Sequence, residues 1–231
     1  MNKFKMTQKD NILFAKRNLV DSIYKEAKLE GIEVTFPDTY EIFNGRTVAG
    51  LSVDDTIKIN NLKHAWEFII DTIDYPIDLR YIKQLNVEIG RGVVFTEGVL
   101  RTADVHIVGT SWKPDIPDQI KIEEFFNKLS DDKEKSTTDK AIESMLYVMK
   151  AFMFYDGNKR TAQLLANKIM IEGGAGVIAI PVEDRKEFVT KLVTYYETGN
   201  MDDIAGFIRS KCIDGANSIT LEEPPVKHRS I

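Results

Sequence analysis

A chain of 231 residues, 43% hydrophobic and 29% charged, can bury one sizeable core beneath a polar surface. A net charge of −5 with no basic patch argues against nonspecific nucleic-acid binding, and no run of 18 apolar residues is present to span a membrane. The lone cysteine, Cys212, excludes a disulfide framework, and the polar start after Met1 is no secretory leader; both point to a soluble protein of the cytoplasm.

In chain order, Ile12, Leu13, Leu19, Val20, Ile23 and Ala27 predict one helix from Thr7 to Leu29, ended near Gly31. Pro37-Asp38 opens a short helix through Phe43, and Ser52 with Asp55 caps a long one to about Ile73. Asp78 caps another through Ile89. Glycines and β-branched residues follow, and Val105-His106-Ile107-Val108 reads as a strand, so residues 99–112 are expected to form a small hairpin or flap. Pro117-Asp118 opens a helix to Leu129. Thr137 or Thr138 is expected to cap the next, whose apolar stripe runs Ile142, Met145, Leu146, Met149. A further helix starts at Thr161, and two more cover roughly 184–197 and 201–211. The fold class is all-α with one small β-hairpin flap. Residues 1–50 read as an N-terminal helical segment, 51–213 as the core and 214–231 as a tail with little to bury. Cys212, with Ile204 and Ile208 at helical spacing before it, reads as a buried structural thiol.

Between the stripe and the following helix stands Phe152-Met153-Phe154-Tyr155-Asp156-Gly157-Asn158-Lys159-Arg160. Asp-Gly-Asn is a turn signal in the midst of helix formers. A short loop that opens a helix with free N–H groups, a glycine, a carboxylate and two cations suits a phosphate and a metal ion. Two cations at the positive end of a helix are unfavourable without an anion, which favours an anion-binding role for Lys159 and Arg160. Gly157 and Asn158 would add backbone N–H groups, and Asn158 its amide. Asp156 is a hard ligand suited to Mg²⁺ or, alternatively, a cap. Asn167 and Lys168 on the next helix are expected at the surface, and Gly173-Gly174-Ala175-Gly176 reads as a helix C-terminal turn.

The stretch resembles the signature loop of the Fic (Fido) family, His-x-Phe-x-Asp/Glu-Gly/Ala-Asn-Gly/Lys-Arg. Phe154, Asp156, Gly157, Asn158, Lys159 and Arg160 match in order and spacing, whereas Phe152 stands where the histidine belongs and Gln163 where a further arginine is usual. Lysine in the next-to-last place also occurs in the Doc branch. The resemblance extends over roughly residues 20–212 and implies a helical bundle with the flap 105–108 overhanging the loop. It further implies protein adenylyltransferase chemistry: AMP transfer from ATP with Mg²⁺ to a protein hydroxyl, the target lying along the flap. Glu26-Ala27-Lys28-Leu29-Glu30-Gly31 matches the end of the family's inhibitory motif, with Glu26 in place of Ser or Thr, which makes Glu30 a candidate inhibitory residue; a plain helix C-terminus is the alternative.

General-base help of the kind the family histidine gives is worth ~10²–10⁴-fold, and Phe152 has no proton acceptor. His64 falls in a helix and His228 in the tail, while His106 in the flap is the only histidine with a route to the loop. Phe152 continues the apolar stripe and is expected to pack into the core. No catalytic residue is assigned. The expectation is a nucleotide-binding protein with impaired or absent transfer; the alternatives are altered phosphotransfer and a non-catalytic interaction or toxin–antitoxin module that binds a partner along the flap.

Overall fold

The structure, a computed structural model, describes residues 1–216. It is mostly helical: α1 (Gln8–Arg17), α2 (Leu19–Leu29), α3 (Phe36–Phe43), α4 (Val53–Asp71), α5 (Leu79–Gly90), α6 (Gln119–Asp131), α7 (Thr137–Ala151), α8 (Asn158–Glu172), α9 (Arg185–Thr198) and α10 (Asp202–Lys211). Local chemistry starts most of them. Thr7, Thr35, Ser52, Asp78, Asp118 and Ser136 each accept a backbone N–H of the first turn. Such caps contribute about 1 kcal/mol each.

The cap of α7 is Ser136, one residue before the expected threonines, because Asn2 Oδ1 takes the Thr138 N–H. The expected single N-terminal helix breaks at Asn18 (φ −101°, ψ 11°), whose side-chain amide donates to the Phe14 carbonyl and whose own N–H bonds Phe14 and Ala15. A short amide side chain competing for backbone groups is enough to end a helix.

One hydrophobic cluster joins every helix from α1 to α10, with α7 against α8 as the most extensive helix pair. The two-stranded sheet lies away from the flap. β1 (Val177–Ile178) pairs antiparallel with β2 (Ile213–Asp214), so Asp214 belongs to the packed body, as does buried Ala216. The rest of the expected tail, with His228, lies outside the described residues. The flap itself is not a hairpin: residues 105–107 are irregular, Val108 enters a turn with Gly109, and Leu100 makes a lone bridge to Phe154. Side chains hold its two ends instead: Tyr155 accepts the Thr102 N–H, and Arg101 donates to the Ala103 and Pro114 carbonyls.

Asn167 and Lys168, expected outside, are fully buried. Asn167 donates to the Ile178 carbonyl and accepts its N–H, tying α8 to β1 (2.9 and 2.7 Å). Lys168 reaches the Ile73 carbonyl at 2.6 Å, and burial lowers its pKa. A lysine is tolerated there because its ammonium is hydrogen-bonded and lies over the Tyr81 ring. Cys212 is buried and burial pushes its thiol up to about 12, which rules out a thiolate nucleophile near neutral pH. Gly173 closes α8, with Ala175 donating to Met170. Among the described residues no helix is long and apolar enough to cross a membrane.

Candidate functional site

Helix α7 ends at Phe152, which takes the left-handed conformation (φ 46°, ψ 54°), alone among the described non-glycine residues. The expectation that Phe152 continues the core stripe is therefore overturned. The backbone reverses there, and the half-buried ring lines a cleft beside the loop. Met153 and Phe154 take the core positions in its stead, both with no exposed surface.

Asn158 locks the loop. Its amide donates to the Phe154 carbonyl at 2.7 Å and accepts the Phe154 N–H at 2.9 Å. Both ends of the side chain are thus spent on backbone, and it is not available to an anion as the sequence suggested. Gly157 (φ 79°) follows a tight turn in which Asp156 Oδ1 accepts the Gly157 N–H at 2.6 Å. A Cβ there would come within 2.9 Å of Asn86 Nδ2, so only glycine fits both the conformation and the space. Asn86, on α5, donates to the Asp156 carbonyl and Thr161 Oγ1 and accepts the Gly98 N–H, which fixes the loop against the flap base.

Beyond this turn α8 begins without a side-chain cap, since Gly157 has none to offer. Its first N–H groups and its positive end face the cleft. Two cations sit in the first turn. Lys159 is one-third exposed, whereas Arg160 is almost fully buried. Glu30, the C-cap of α2, reaches both: Lys159 Nζ at 3.2 Å and Arg160 Nε at 3.5 Å. Arg160 also donates from Nη2 to Asp156 Oδ1 at 3.2 Å, but its Nε and Nη1 make no hydrogen bond. Asp156 stays half-exposed. Gln163, further along α8, is buried with both amide atoms unpartnered. Glu26 is buried one turn before Glu30, and neither of its oxygens has a hydrogen-bond partner. Burial is the main reason its carboxyl is raised to about 8; the Trp66 indole opposes the rise, Glu30 adds to it and Arg160 opposes it.

The cleft holds about 290 Å³. Its polar wall is Glu30 with Asp156, Gly157, Asn158 and Lys159, and its apolar wall is Ile107 and Val108 of the flap with Leu192 and Tyr196 of α9. The flap is pinned across it: Trp112 stacks on Tyr196 (centroids 5.2 Å apart, 22° between planes), and Thr110 donates to Glu197 at 2.7 Å. Tyr155 accepts the Thr102 N–H, which lowers its pKa. At the flap base the Arg101 side chain is buried and donates to the carbonyls of Phe152 (2.6 Å), Ala103 (3.0 Å), Pro114 (3.1 Å) and Asp115.

The structure thus brings Phe152, Asp156, Gly157, Lys159, Glu30, Ile107 and Val108 around one cleft, and buried Arg160 contacts two of its lining residues, Glu30 and Asp156. Val105 is half-buried, His106 is exposed on the flap and His64 is exposed on α4; none of them lines the cleft. Among the described residues no group of three metal-ligating side chains forms a site of its own. Asp156 fits a magnesium ion shared with phosphate, since a half-exposed carboxylate beside anion donors is what such an ion needs. Asn86 and Arg101 escaped the sequence reading, as did the burial of Glu26. Their signal was present in Glu26 and Asn86, polar residues on the apolar faces Ile23–Ala27 and Ile82–Leu85–Ile89.

Residues 76–170 match the model of the Fic/DOC family. The chain is 23% identical over 197 residues to protein adenylyltransferase fic-1 of Caenorhabditis briggsae, covering 81% of this chain and 38% of that relative. A 56-residue stretch, 24% of the chain, is 41% identical to the protein adenylyltransferase fic-1 of Caenorhabditis elegans and covers 10% of it. The fold is similar to that of a Fic domain containing signaling protein from Bacteroides thetaiotaomicron (TM-score 0.75, 19% identity, 89% of this chain and 86% of that one). It is also similar to a fragment of Fic-1 from C. elegans (TM-score 0.69, 21% identity, 85% and 61%). The chain therefore spans 38% of the length of the C. briggsae relative and 61% of the C. elegans structure.

Proposed function

We propose, from the premise that the chain carries a Fic/Fido domain, that it binds ATP or a related nucleotide at the 156–160 loop and transfers AMP at or near background. The observation that carries this reading is an uncapped helix start with two cations, opening onto a cleft with an apolar wall. Lys159, Arg160 and the first N–H groups of α8 would neutralise phosphate, and Ile107, Leu192 and Tyr196 would take the base. Asp156 would hold a magnesium ion, which supplies charge neutralisation between the phosphates.

The same residues explain weak chemistry. Glu30 already occupies the two cations, so an anion must displace it. Phe152 presents an aromatic ring at the cleft where the resemblance puts the proton acceptor, and among the described residues no histidine lines it. Gln163, neutral and buried, adds no charge for a third phosphate. Incubation with ATP labelled on the α-phosphate, alone and with a cell lysate, tests the claim: background labelling is expected. Strong labelling that Asp156→Ala abolishes would contradict it.

A second reading has its own support in Val108, 98% exposed, and Val99, 54% exposed, along the flap. Among the described residues the backbone of 105–108 makes no hydrogen bond, and such a segment with apolar side chains can take a partner strand, as in a regulatory or toxin–antitoxin module. Failure to bind any nucleotide, with capture of a protein that Val108→Asp prevents, would favour it.

A further inference from the structure

A buried arginine normally meets a carboxylate; Arg101 meets four backbone carbonyls. No ion pair of Arg101 occurs among the described residues, and burial lowers its pKa even with Asp104, Tyr155 and Asp115 near enough to favour the cation. So costly a group is retained only where its donors find acceptors, and here all three nitrogens have one, with four carbonyls for the five N–H groups. Three of the four addresses matter most. The Ala103 carbonyl marks the chain entering the flap and the Pro114 carbonyl marks it leaving. The Phe152 carbonyl belongs to the left-handed residue that starts the loop. Next door, the Arg101 N–H donates to the Met153 carbonyl at 3.0 Å.

We propose that Arg101 is a positioning residue that couples the flap to the nucleotide loop. One rigid fork fixes both ends of the flap and the carbonyl of residue 152, so the height of Ile107 over the cleft and the direction of the residue-152 side chain are set together. Lysine at 101 keeps the charge but gathers its three N–H donors on one nitrogen, which cannot reach carbonyls spread around a planar fork. Trp112 stacked on Tyr196, just before the exit, supplies a second anchor that Arg101 does not touch. The coupling rests on the proposed nucleotide site; the fork itself does not.

The test is amide hydrogen exchange of residues 103–115 in the full chain, with and without Mg-ATP, in the wild type, Arg101→Lys and Trp112→Ala. In the wild type, ATP should slow exchange across 103–108. In Arg101→Lys these amides should exchange about tenfold faster, and ATP should no longer slow them even at saturation. Trp112→Ala should speed exchange at 110–113 while keeping the ATP effect at 103–105. Arg101→Gln, checked for folding by far-UV circular dichroism, serves if the lysine variant is unfolded. An ATP effect that survives at full ratio in either folded variant would reduce Arg101 to a structural bond and overturn the proposal. Should ATP bind no variant, the nucleotide reading fails, and carbonyl-¹³C spectra of the free protein decide for Arg101. Joint shifts of the Phe152, Ala103 and Pro114 signals in Arg101→Lys support it, and an unmoved Phe152 signal overturns it.

Discussion

The Glu30 carboxylate lies 3.2 Å from the Lys159 ammonium and 3.5 Å from the Arg160 guanidinium, so the C-terminus of α2 closes on the start of α8. A carboxylate at a helix C-terminus is opposed by the local dipole, and these cations offset that cost. The contact places an internal anion where an external one would bind.

Removing that anion should open the site. Glu30→Gln keeps the shape and deletes the charge, and Mg-ATP affinity should rise by about tenfold, on the order of 1.4 kcal/mol. Isothermal calorimetry checks it. An unchanged affinity would mean that Glu30 only closes a helix.

Phe152→His should introduce measurable AMP transfer if the missing base is the main defect, and Gln163→Arg should add to it. The stability cost should be small, under about 1 kcal/mol, because Phe152 lies outside the core and histidine tolerates the left-handed region better than phenylalanine. Phe152→Gly should hold or raise the denaturation midpoint, since glycine has no Cβ penalty at that position. A loss of several kcal/mol in either variant would return the ring to a core role.

Stability should fall between about pH 5 and 8 through Glu26. Its carboxyl titrates near 4.5 when unfolded and is raised to about 8 when buried. Below the first value both states hold the proton and the group contributes nothing. Between them only the folded state does, so each rise in pH favours unfolding until the folded carboxyl also ionises. Asp78 and Asp139, held low by their hydrogen bonds, act oppositely, their contribution being lost as pH falls through the acid range. Urea titrations should place the maximum near pH 5, and Glu26→Gln should flatten the alkaline side. A slope that persists in the variant would assign it elsewhere.

Asn158→Ala should destabilise by about 2–3 kcal/mol, because the Phe154 N–H and carbonyl are buried and lose their partner. Any loss of ATP affinity should accompany a displaced loop, visible as shifted Phe154 amide resonances. Weakened binding with those resonances unmoved would restore a direct role for the amide.

Local signals carried far in this chain. Caps at Ser52 and Asp78, the Asp156-Gly157 turn and the stripe Ile142–Met149 act within a few residues, and the helices they imply are present. What escaped depends on distant partners. Asn18 breaks a helix that periodicity alone would continue, and Lys168 is buried because a carbonyl 95 positions away accepts from it. The expected strand 105–108 has no ladder, and the flap is held at its ends by Arg101 and Tyr155, pairings no alternation pattern encodes. At the site, the Gly157 requirement was legible from the turn, while the use of Asn158 on its own loop was not.

Titration of Mg-ATP into the wild type, Lys159→Ala and Arg160→Ala tests the central claim most directly. Saturable binding to the wild type is expected, weakened by about tenfold or more in each variant, with no AMP released or attached during the experiment. Equal affinity in all three proteins, or no heat of binding even after Glu30→Gln, would contradict a nucleotide site at the start of α8.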